Sequence, residues 1–221
     1  MFRLITIERE YGCGAGAIAA ELAKRLQWKL WDQLLTDEVA RLGNVHPSDV
    51  MRWKVLSMRP SQRLAKTFLR GSYERSSPLS KEIFDADRLV ALMEQICPKI
   101  AQEGNAIVVG RGAPYFLREN PVTFHVFLYA PRAEKVRRLE AAGKSQDEAE
   151  ELVQSVDRER IAYVKHYFNA DWPTRSLYHL MLNTAVGDDH VINAVLNTMH
   201  ALEGSPKATD YEHPEKSLAK A

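Results

Sequence analysis

The organisation of the chain turns on its opening stretch, Phe2-Arg3-Leu4-Ile5-Thr6-Ile7-Glu8-Arg9-Glu10-Tyr11-Gly12-Cys13-Gly14-Ala15-Gly16-Ala17-Ile18. Residues 2–7 are apolar and rich in β-formers, and the spacing of Ile18, Leu22 and Leu26 predicts a helix after the glycines. Strand, glycine loop and helix in this order present backbone N–H groups and a helix N-terminus to an anion, as in mononucleotide-binding proteins. The plainer alternative is a tight strand-to-helix turn with close packing. Three glycines in five residues exceed what a turn requires. The loop lacks the lysine and the hydroxyl of the phosphate-binding motif GxxxxGK[ST], since Ala15 and Ala17 stand in those places.

Outward from this loop, Leu30-Trp31 reads as a second strand ending at Asp32, and a helix follows that stops at Gly43-Asn44. Apolar positions from Leu89 to Ile100 predict a helix, closed by Gly104-Asn105 before the apolar strand Ala106–Val109 and the loop Gly110-Arg111-Gly112. Phe124–Tyr129 reads as a buried strand, and Arg132–Ala142 as a helix. Ser145 with Glu148 three residues on is a capping-box signature for a charged helix reaching about Tyr167. Leu180–Asn183 reads as the last strand and Asp189–Leu202 as the closing helix. Strands alternating with helices predict an α/β fold, a parallel sheet with helices on both faces and ligands beyond the carboxyl ends of its strands.

The 221 residues are 45% hydrophobic and 27% charged, which excludes disorder as the main state. Thirty basic against twenty-nine acidic residues leave no global field toward nucleic acid or anionic membrane. Two cysteines, neither in a CxxC or Cys/His cluster, indicate neither zinc nor a disulfide framework, and the seven histidines show no metal spacing. The N-terminus reads as free of a secretory signal and no apolar run reaches a membrane span, so a cytoplasmic protein is expected. Seven Lys or Arg lie between Arg52 and Arg75 against one acid, Glu74. Trp53, Phe68 and Tyr73 interleave with them, but no nucleic-acid module is recognisable.

Several side chains invite chemistry. Arg111, between two glycines at a strand end, is placed to grip a phosphate bidentately, or to cap its own loop. Asp32, a carboxylate at a helix start, reads from its position as an ordinary N-cap. Arg158 and Arg160 lie on a charged helix, where a solvated face is the alternative to a role at phosphate.

The segments Ile7–Gly14, Trp31–Leu35, Val109–Ala113, His125–Pro131 and Val156–Tyr167 occur in an order that resembles the cytidylate kinase-like family, over residues 1–200. This family is a branch of the P-loop nucleoside monophosphate kinases, related to bacterial cytidylate kinases. The resemblance implies a three-layer α/β P-loop kinase fold over residues 1–204, with a helical acceptor-binding insertion at 43–86 and a lid at 157–172. A flexible tail is expected at 205–221. It further implies ATP and Mg2+ as cofactors and CMP or dCMP as acceptor. Gly12, Cys13, Gly14, Ala15, Gly16 and Ala17 would cradle the donor, Asp32 and Arg111 would hold the acceptor, and Arg158 and Arg160 would serve the transfer. No residue is expected to ligate a metal directly. Members of this branch usually lack the loop lysine and often carry an arginine where this chain has Gly16; Arg9 is the nearest candidate for a substitute, and reads equally as a surface arginine at a strand end. A nucleotide-binding regulator with little activity, or a kinase for a non-nucleotide acceptor, are the alternatives. His179 stands where the family tends to have Asp.

Overall fold

A computed structural model of the chain describes residues 1–44 and 86–204. The basic segment 52–75, nearly all of the expected insertion and the expected tail lie outside the described residues.

The elements run β1 (Leu4–Arg9), α1 (Ala15–Leu26), β2 (Lys29–Trp31), α2 (Gln33–Gly43), α3 (Ala86–Glu103), β3 (Ala106–Val109), α4 (Ala113–Phe116), β4 (Thr123–Tyr129), α5 (Arg132–Ala141), α6 (Gln146–Phe168), β5 (Leu180–Asn183) and α7 (Asp188–Gly204). The sheet is wholly parallel, in the order β2-β3-β1-β4-β5. Side chains alternate between its faces, as the strand period of two requires. Leu4, Ala106 and Val108 pack with Leu35, Val39, Leu89 and Met93 beneath α2, α3 and α4. Ile5, Ile7, Ile107 and Val109 pack with Ile18, Leu22, Val191 and Val195 beneath α1 and α7. The result is the expected three-layer α/β fold.

Helix ends follow local chemistry. Asn44 takes the left-handed conformation after α2 (φ 52°), and Gly104 and Asn105 do so after α3 (φ 68° and 49°). Ser145 Oγ accepts the Glu148 N–H at 3.2 Å, the capping bond expected from the sequence. β1 extends two residues beyond its apolar run, because Glu8 and Arg9 continue the ladder opposite Phe127 and Leu128 of β4. That extension buries both charged side chains.

β1 lies between β3 and β4, and Ile7 pairs with Val109. The loops after β1 and β3 therefore emerge side by side at the carboxyl edge, tied by Gly110 N–H donating to Ile7 O at 2.9 Å. This adjacency builds the site.

Candidate active site

The loop after β1 needs its glycines for two distinct reasons. Gly12 and Gly14 have φ of 77° and 84°, which side chains rarely adopt. A Cβ on Gly14 would also overlap Nη1 of Arg138, and one on Gly12 would press on the Lys135 carbonyl at 3.2 Å. Gly16 differs, since a Cβ there meets nothing within 4 Å. α5 thus lies directly against the loop. Arg138 donates from Nη1 to Cys13 O at 2.6 Å and from Nη2 to Thr184 O at 3.0 Å, while Thr184 Oγ1 also donates to Cys13 O at 2.6 Å. Lys135 donates to Glu10 Oε2 at 2.8 Å and Asp157 Oδ2 at 3.2 Å.

A cleft of about 210 Å³ opens on this loop, lined by Arg9–Gly16, Leu139 and Arg160. Ala17 faces solvent on α1 outside that lining. The two arginines expected to act together are separated, because residues two apart on a helix point to different sides. Arg158 is exposed. Arg160 is 1% exposed, with Nη1 donating to Arg9 O at 2.7 Å and to Asp157 Oδ1 at 3.1 Å. Asp157 Oδ1 also accepts the Tyr11 N–H at 2.8 Å, so α6 fixes both the strand end and the loop.

Electrostatically the site is crowded with buried charge. Burial pushes the Glu8 carboxyl up, against the opposing pull of Arg9 and Arg160. Burial, then the like charge of Arg9, lowers the Arg160 guanidinium, against Asp157 and Glu8. Asp157 is raised by burial, which Arg160, the Tyr11 amide and Lys135 counter. Three guanidiniums each keep a buried nitrogen without a hydrogen bond: Arg9 Nη1, Arg111 Nη1 and Arg160 Nε. Unpartnered buried donors of this kind mark where an anion would be bound.

In the neighbouring loop after β3, Gly110, Arg111 and Gly112 are three consecutive residues of positive φ (71°, 56° and 74°). Left-handed backbone at Arg111 is strained, and it turns the side chain inward. Arg111 is 5% exposed, and its Nη2 donates to Thr36 Oγ1. It does not cap its own loop. Burial lowers this guanidinium to about 10, with the Asp32 carboxylate opposing the shift. Asp32 occupies the N-cap position of α2 but makes no side-chain capping bond. Arg111, Thr36 and Asp32 thus meet beside the donor loop, and Phe168 of α6 closes over Gly112 at 3.1 Å from a notional Cβ.

The cleft offers loop amides and the guanidiniums of Arg9 and Arg160 to an anion. Those donors suit a triphosphate. No group of three metal-ligating side chains occurs among the described residues. Arg138, Lys135 and Asp157 escaped the sequence reading because each looks like ordinary helix-surface charge. The i,i+3 spacing of Lys135 and Arg138, on a helix directly after a strand, was the available signal. His179 has a structural role: its Nδ1 accepts the His125 N–H at 3.0 Å.

The fold is of the P-loop kinase type and, with the family match that follows, supports a kinase-like phosphotransferase. The family signature of the cytidylate kinase-like family matches residues 4–186, and the chain belongs to that family. Among solved structures, an uncharacterized protein from Eubacterium ventriosum aligns at TM-score 0.64 and 21% identity, over 91% of this chain and 99% of that one. Shikimate kinase from Acinetobacter baumannii, in complex with shikimate, aligns at 0.52 and 12%, over 93% and 97%. A gluconokinase from Sinorhizobium meliloti aligns at 0.51 and 12%, over 90% and 91%. No curated protein matches the chain in sequence. No helix among the described residues is long and apolar enough to cross a membrane.

Proposed function

We propose that the protein transfers the γ-phosphoryl group of ATP to a nucleoside monophosphate, CMP or dCMP first. The observation that carries this reading is a pair of buried guanidinium nitrogens without hydrogen bonds, Arg160 Nε at the cleft on the glycine loop and Arg111 Nη1 on the neighbouring loop after β3. A protein that only bound nucleotide would have less need of a second buried cation on the loop after β3.

The Gly12–Gly16 amides hold the donor phosphates at the N-terminus of α1. Arg160, which lines the cleft, neutralises charge on the transferring group, and residues 157–172 act as the lid, whose movement would bring in Arg158 from the other side of α6. Arg111, steadied by Thr36 and Asp32, positions the acceptor phosphate. Mg2+ shields the β- and γ-phosphates when bound. Phosphoryl transfer asks for positioning and charge rather than covalent help.

The test is Arg111→Ala. Its acceptor KM rises at least tenfold while its ATP KM stays within twofold, measured by ADP release with CMP varied and then ATP varied. Unchanged constants for the acceptor would overturn the assignment.

A further inference from the structure

We propose that Arg9 is the cation that serves the transferring phosphoryl group in place of the missing loop lysine. The inference rests on the phosphotransfer reading above and adds to it the residue that makes a lysine-less loop workable.

Arg9 closes β1 and is 8% exposed, yet it lines the cleft together with Gly12–Gly16 and Arg160. Its Nη1 is buried and makes no hydrogen bond. Glu8 Oε1 lies 3.7 Å from that nitrogen, too far for one, and instead accepts the Arg9 backbone N–H at 3.1 Å. An arginine with a purely structural role spends its nitrogens on carbonyls, as Arg138 does here. Arg9 Nη1 is held back from such a partner.

The acceptor loop is shaped around the same group. A Cβ on Gly110 would overlap Arg9 Nη1, so the guanidinium occupies the place where a side chain at 110 would begin. Arg9 therefore reaches from the end of the donor strand onto the loop that carries Arg111. Its charge also disfavours the charged forms of both Arg111 and Arg160. Arg9 and each of these two neighbours carry like charge and an unsatisfied nitrogen, an arrangement that a multiply charged anion beside Arg9 would stabilise.

In the transfer, an oxygen of the acceptor phosphate bonds to the γ-phosphorus as the bond from that phosphorus to the β,γ-bridging oxygen breaks. The electron pair of that bond stays on the β-phosphate of ADP, and no further reactant is consumed. Arg9 Nη1 donates to the γ-phosphoryl oxygens during this passage, the task of the absent lysine.

The experiment compares wild type, Arg9→Met, Arg9→Lys and the double variant Arg9→Met/Gly16→Arg by ATP and ADP calorimetry, turnover and thermal unfolding. Arg9→Met is expected to lose turnover about a hundredfold and to abolish any preference for ATP over ADP, with an unfolding midpoint unchanged or raised. Should that variant fail to fold, Arg9→Lys keeps the charge and removes the fork, and its turnover falls at least tenfold. Gly16 lines the cleft and has open space at its Cβ, so an arginine there restores charge from the opposite wall. At least tenfold recovery of turnover is expected in the double variant. Wild-type affinity for ATP over ADP and wild-type turnover in a folded Arg9→Met protein would overturn the role of Arg9. A wild-type protein that binds no ATP would overturn the phosphotransfer reading itself.

Discussion

Replacing Gly14 by alanine tests the loop more sharply than replacing any charged residue, because Gly16, two residues away, makes an internal control. Gly14 has φ 84°, and its missing Cβ leaves room for the Arg138 guanidinium that donates to Cys13 O at 2.6 Å. An alanine in left-handed backbone costs about 1–2 kcal/mol. Driving Arg138 off Cys13 O removes a charge-assisted bond of about 1.5–3 kcal/mol. The Thr184 hydroxyl still donates to that carbonyl, so the lower figure applies and the sum is about 3 kcal/mol. At about 2–4 °C per kcal/mol for a domain of this size, Gly14→Ala should melt about 6–12 °C below wild type. Gly16 has no left-handed φ and no neighbour within 4 Å of a Cβ. Alanine there removes a glycine from a helix and should raise stability by about 0.5–1 kcal/mol. Circular dichroism melts of the two variants beside wild type are the assay. Adding Arg138→Ala to Gly14→Ala should cost less than the sum of the two single losses, since both remove one shared contact. Shifts of the same sign, or a Gly14→Ala midpoint within 2 °C of wild type, would refute the packing of α5 on the loop.

His125, which sits 2.6 Å from Thr6 Oγ1 and stacks on His179, is pushed down to about 4 by burial and by that neighbour. The unfolded chain takes up a proton near pH 6.5 that the folded one refuses, so this stability is complete above pH 6.5 and lost as pH falls to 4. It amounts to about 3 kcal/mol, and urea unfolding at pH 7, 5.5 and 4 should show a shallower acid loss for His125→Gln than for wild type; equal slopes would count against it. Arg158→Ala should leave stability within about 0.5 kcal/mol, because the side chain is exposed, yet lower turnover at least tenfold. Arg160→Ala should destabilise by about 2 kcal/mol or more, since Asp157 and the Arg9 carbonyl lose their buried partner. If Arg158→Ala retains full turnover, the group at the transferring phosphate is not Arg158.

Periodicity and turn chemistry made the layers legible. Ile18, Leu22 and Leu26 marked the helix after the loop, Gly43-Asn44 and Gly104-Asn105 marked its successors' ends, and Ser145 with Glu148 marked the start of α6. The site was legible only as residue types near strand ends. Burial of Glu8 and Arg9 was hidden, because charge normally ends a strand, and only pairing with Phe127 and Leu128 extends β1 through them. The contribution of α5 was hidden as well. Lys135 and Arg138 stand among Glu134, Arg137 and Glu140, a run that looks like a solvated face until the glycine loop is packed beneath it. The divergence of Arg158 and Arg160 did follow from the helix period, which sends residues two apart to different sides.

Transfer of label from γ-labelled ATP, with Mg2+, to CMP, dCMP, UMP or AMP, followed by chromatographic separation of the products, tests the phosphotransfer reading most directly. Labelled CDP or dCDP, formed by wild type and reduced at least tenfold by Arg111→Ala, is the expected result. No labelled nucleoside diphosphate from any acceptor, by protein that binds ATP, would contradict it and leave the cleft as a nucleotide-binding site without transfer.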